Sequence, residues 1–153
     1  MANDWLDKRF ENKARRERQR EIAGEHTEHA AAFTPVIFRS LCNRIREDIE
    51  RYKTRSGDSA VELSEAGGIL AVHRGRLPAF HLEFRRAAGP DITIAGYRKE
   101  SLSAWDEDLS GVVSVVAGDE PDQCWMNYRG TDYGSVGQLS EDILSPVLDP
   151  LLR

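Results

Sequence analysis

What most constrains this chain is a change of period. From Pro35 to Arg55 apolar residues recur every three or four positions: Ile37, Phe38, Leu41, Cys42, Ile45, Ile49 and Tyr52. From Ala60 onward they recur every second position, most clearly at Phe80, Leu82 and Phe84 between His81, Glu83 and Arg85. The first spacing puts the apolar side chains on one stripe of a helix, the second on one face of a strand. A helix with one wide apolar stripe must bury it, and the alternating stretch is the only large apolar surface in the chain. The expectation is an α+β fold in which a sheet packs on the 35–55 helix.

Turn residues divide the alternating stretch. Gly67-Gly68, Arg74 to Pro78, Ala88 to Asp91, the long polar connection Arg98 to Ser110, and Gly118 to Asp122 separate successive short apolar segments. Short segments with tight connections predict an antiparallel meander of about six strands. The last of these is read as Gln123 to Arg129.

The flanks are helical. Residues 4–29 are mostly good helix formers, with Leu6, Phe10 and Ala14 one turn apart, but from Glu11 to Glu21 only Ala14 is apolar. Such a helix projects into solvent or lies along a partner through Trp5, Leu6 and Phe10. Gly24 is expected to interrupt it, and Thr34-Pro35 reads as the N-cap and first residue of a second helix, ending at Ser56-Gly57. At the other end Ser140 reads as the cap of a short helix, with Glu141 and Asp142 in its first turn, Leu139 and Leu144 as a staple, and prolines at 146 and 150 limiting its length. The organisation read is a charged helical extension over 1–30 and an α+β domain over 31–153.

Composition narrows the classes. The chain is 153 residues long with a net charge of −5, enough for one core and too ordered in composition for general disorder. Its longest apolar runs are far shorter than a membrane span, and MANDWLDKRF has no apolar leader segment. With two cysteines it is not a disulfide scaffold, so a cytoplasmic protein without membrane association is expected. Charge is uneven: residues 1–55 carry 13 basic and 10 acidic side chains, residues 100–153 carry 2 and 11. Opposed ends of this kind favour self-association.

No catalytic signature stands out, and no cofactor-binding motif is present. Cys42 lies on an apolar stripe and reads as inert core; Cys124 points inward with Met126 and Tyr128. The glycine-rich stretch 129–137 lacks the Gly-Lys-Ser/Thr ending of a phosphate loop and reads as an ordinary loop. Glu25, His26, Glu28 and His29 suggest at most a weak metal pair, His26 with His29, without zincin spacing. If Phe80, Leu82 and Phe84 face the core, the opposite face of the sheet presents His81, Glu83 and Arg85, joined by Tyr97, Trp125, Asn127 and Arg129. Arginine and aromatic side chains are common anchors of binding surfaces.

The primary expectation is therefore a non-catalytic protein-interaction module (an adaptor, chaperone-like or regulatory subunit) that associates with itself through Trp5, Leu6 and Phe10 or with another protein. A small-ligand binder or enzyme, with a pocket on the polar sheet face, is the alternative. A further one is single-stranded nucleic-acid binding, using the same aromatics and the basic run 13–20; the acidic 100–153 region opposes it.

Overall fold

The computed structural model describes the backbone of residues 4–120 and 122–152, and side chains throughout these except at 4, 20 and 22–27. One long helix, α1 (Asp4–Ser56), precedes eight strands: β1 (Val61–Ala66), β2 (Ile69–Arg74), β3 (Ala79–Arg86), β4 (Asp91–Lys99), β5 (Glu107–Asp108), β6 (Gly111–Ala117), β7 (Cys124–Tyr128) and β8 (Thr131–Tyr133). Helix α2 (Val136–Leu148) and a 3₁₀ turn (Asp149–Leu152) close the described chain. All pairings are antiparallel, in the order β1-β2-β3-β4-β6-β7-β8, with β5 on β4. The α+β meander read from the sequence is what is found, with two short strands added to the six.

Packing follows the two periods. Leu41, Ile45, Ile49 and Tyr52 of α1 are buried against Val72, Phe80, Leu82, Phe84, Ile92, Ile94 and Val113 of the sheet. Leu139, Ile143, Leu144 and Val147 of α2 close the same core. A smaller cluster, Ala30 with Val115 and Ala117, extends contact one step up the helix, where Phe33 and Ile37 join it. Each fully buried Leu, Ile or Phe contributes about 1.5–3 kcal/mol relative to exposure. The helix stops where expected: Gly57 has φ 70°, and its amide donates to the Lys53 carbonyl at 2.9 Å.

Four local readings are corrected. Gly24 does not interrupt α1, and Thr34 does not cap a second helix. The helix is continuous through both, and the buried Thr34 hydroxyl donates to the Ala30 carbonyl at 3.0 Å. A Thr before Pro satisfies an N-cap pattern, but burial of the helix flanks on both sides of Pro35 outweighs the lost amide donor. Ser135, not Ser140, caps α2, accepting from the amides of Gly137 (3.1 Å) and Gln138 (3.3 Å). Ser140 is instead buried inside the helix and donates to Asp48 of α1 at 2.7 Å, so it ties the helices together; Glu141 and Asp142 lie beyond the first turn.

The fourth correction concerns the glycine-rich stretch. Tyr128 pairs with Thr131, so Arg129 and Gly130 form a two-residue hairpin turn with φ 52° and 78°. Positive φ at both positions matches the twist of the flanking strands. Arg129 is thus a turn residue rather than a strand residue, and 131–133 is a strand rather than loop.

Candidate functional site

The sheet has one face on the helices and one face open, and alternation decides which side chains go where. Phe80, Leu82 and Phe84 of β3 are buried, while His81 and Glu83 are half-buried and Arg85 is exposed. Register carries this order across strands: His73 of β2 faces His81, and His81 faces Tyr97 of β4. The His73 and His81 rings meet edge to face at 5.6 Å, and His81 stacks with Tyr97 at 6.0 Å. On the core side, Gly96 opposite Leu82 lets β4 lie close to β3, because a Cβ there would lie 2.6 Å from both the His81 carbonyl and Leu82 Cδ2.

Glu83 connects the row to a cation. Its carboxylate lies 3.0 Å from His81 Nε2 and 3.1 Å from an Arg85 nitrogen. The hydrogen bond to His81, with that from Arg85, holds the Glu83 carboxyl below its ordinary range. On the other side of Tyr97, β5 places Asp108 in register. Hydrogen bonds from the Ser110 hydroxyl and amide, with Arg129 nearby, hold Asp108 low as well. The Arg129 guanidinium stacks on Tyr128 at 5.3 Å and donates to the Leu109 carbonyl at 3.4 Å.

Five of the seven residues expected on this face therefore form one neighbourhood: His81, Glu83, Arg85 and Tyr97 directly, Arg129 through Asp108. Trp125 and Asn127 do not join it. Asn127 pairs with Ser114, which pairs with Asp91 at the far end of β4, six residues from Tyr97 or about 20 Å along the strand. Asn127 Nδ2 donates to Asp132 at 2.9 Å and Ser114 donates to Asp91 at 3.0 Å, a polar ladder that holds strands together. Trp125 lies further along, opposite Val116, and is half-buried.

The remaining candidates divide in the same way. Trp5, Leu6 and Phe10 are 59%, 40% and 64% exposed, and the Arg9 guanidinium lies 5.1 Å from the Trp5 ring. The side chain of His26 lies outside the described residues, and His29 packs its ring on Phe33 at 5.0 Å. Among the described residues no group of three or more His, Cys, Asp or Glu is placed to hold a metal ion. Burial raises the Cys42 thiol to about 11, so at neutral pH it is a protonated core residue. Cys124 is half-buried at the edge of the sheet, beside the buried Met126 and Tyr128.

A feature that the sequence reading missed lies at one end of the sheet. A groove of about 810 Å³ opens between α1 and the β1–β2 and β3–β4 turns. Arg39 and Arg46 from the helix and Arg85 and Arg86 from β3 line it, over Phe38 and Ile69. Helical periodicity placed Arg39 on the solvent side of α1; nothing in it says that two turns from the sheet converge on the same place. The adjacent Arg85-Arg86 beside a glycine turn was the one available hint. The groove takes only Arg85 from the sheet-face set.

No family model, curated protein or solved structure matches this chain. Among the described residues no helix is long and apolar enough to cross a membrane.

Proposed function

We propose that the chain is a non-catalytic protein-interaction module that self-associates, an adaptor, chaperone-like or regulatory subunit working in the cytoplasm. One observation carries the reading: α1 runs about 39 Å ahead of Ala30, every side chain from Trp5 to Gln19 is exposed, and the large apolar ones near its start are bare. With no apolar face of its described residues buried, this stretch is supported by helix propensity and local pairs rather than by packing. The part of α1 ahead of Ala30 acts as an arm, with Trp5, Leu6 and Phe10 as the contact stripe. The open row His73–His81–Tyr97, with Glu83 and Arg85, is a second adhesive surface on a face with no enclosing wall. Openness favours a protein partner over a small molecule, since ligand sites enclose most of their ligand.

Sedimentation equilibrium over roughly 1–100 µM tests this reading. A dimer or higher species is expected. Replacing Trp5, Leu6 and Phe10 together by Ser should weaken it without altering the circular dichroism of the sheet. A strict monomer throughout that range would overturn the proposal.

A further inference from the structure

The arginine groove has a counterpart at the opposite end of the same sheet. Arg46 is tied to Asn43 and Glu65, and Arg85 to Glu83. Arg39 and Arg86 have no hydrogen-bond or ion-pair partner among the described residues. The groove is thus a cationic cleft with an apolar floor. The loop between β4 and β5 has the reverse character. Leu102 and Trp105 are 86% and 94% exposed and Asp106 follows Trp105 directly, while Glu100 and Glu107 pair with Arg98 at the end of β4. A bare tryptophan beside carboxylates fits an arginine-rimmed apolar cleft in both hydrophobicity and charge.

We propose that the 100–108 loop of one copy docks in the arginine groove of a second copy. Trp105 and Leu102 cover Phe38 and Ile69, and Asp106 meets Arg39 and Arg86. The contact is between copies because the strands separate the two surfaces. Arg86 pairs with Ile92 at the groove end, and Ala79 pairs with Lys99 at the loop end, about 23 Å away along β4. Two copies laid antiparallel engage both contacts at once, which closes the assembly as a two-fold pair. This inference rests on the self-association reading and names a second surface for it, distinct from the arm.

Charge reversal tests it. One variant carries Asp106→Arg; the other carries Arg39→Glu with Arg86→Glu. All three positions are exposed, so circular dichroism should match that of the wild type. Each variant alone should associate at least about tenfold more weakly by sedimentation, and an equimolar mixture should recover the loss, because a reversed loop meets a reversed groove. Trp105→Ala, which changes no charge, should weaken association to a similar degree. If the wild type associates and all these variants associate equally well, the loop–groove contact is overturned while self-association stands. A monomeric wild type overturns both.

Discussion

The two halves of α1 share a backbone and little else. Between Ala30 and Tyr52 the helix buries a residue on almost every turn: Ala30, Thr34, Leu41, Ile45, Ile49 and Tyr52. Between Trp5 and Gln19 every side chain is exposed. In the first region tertiary packing stabilises the helix strongly enough to run through Pro35. In the second, only propensity and local pairs such as Arg9 with Trp5 support it. The same conformation therefore has two causes, and a substitution should reveal which one operates at each position.

The largest expected effect is in the packed half. Ile45 is fully buried, so Ile45→Ala should lower unfolding free energy by about 3 kcal/mol. Leu6→Ala, a comparable truncation in the arm, should change it by less than about 0.5 kcal/mol. Urea denaturation must be done at protein concentrations below the association range, because assembly stabilises whatever associates. Equal losses at both positions would mean that the arm belongs to the cooperative core.

The next effect concerns how the packed half is anchored to the sheet. Tyr52 donates to Asp58 at 2.7 Å, the Ala60 amide donates at 3.0 Å, and Arg74 donates at 3.0 Å while also reaching the carbonyls of Arg76 and Pro78. Burial alone would raise the Asp58 carboxyl; the bond from Tyr52, then the amide and Arg74, outweigh it and hold the group below its ordinary 3.8. A carboxyl lowered on folding contributes stability that is complete above the unfolded value and is lost as pH falls through the folded one. Asp58→Asn should therefore cost about 2 kcal/mol at neutral pH, a difference constant above about pH 5 that shrinks below pH 3.8. Urea midpoints of both proteins across that range measure it. A gap independent of pH would show that the carboxylate charge contributes nothing to the anchor.

The same contrast explains what could be read from the sequence. The 35–55 stripe and the six alternating segments were legible because each is a strong periodic pattern with one answer about its buried face. Gly24 and Thr34-Pro35 were misread because they are local stop signs; around Thr34-Pro35 the packing that overrides the signal comes from Val115 and Ala117, eighty residues away in the chain. Ser140 was misread for a similar reason: its partner is Asp48 on the other helix. On the open face, alternation assigned His81, Glu83 and Arg85 correctly. It could not say that β6 stands between β4 and β7 in a register that takes Trp125 and Asn127 away from them. Side-chain direction is a property of one strand, whereas proximity is a property of the pairing.

The smallest expected effect is the sharpest test of the comparison. Gly24 is helical in the N-terminal part of α1, where a glycine costs about 1 kcal/mol relative to alanine. On the reading that this stretch opens separately from the core, Gly24→Ala should act locally. Amide exchange in the arm should slow by about fivefold, as expected for that energy, and the urea midpoint should not move. Amides between Leu41 and Tyr52 should exchange unchanged, since they open with the sheet and not with the arm. Should the midpoint rise with the arm's protection, helix order would be passing through Thr34-Pro35 into the core. The two halves would then be one cooperative unit, and the arm would transmit the binding of a partner to the sheet instead of merely presenting a surface to it.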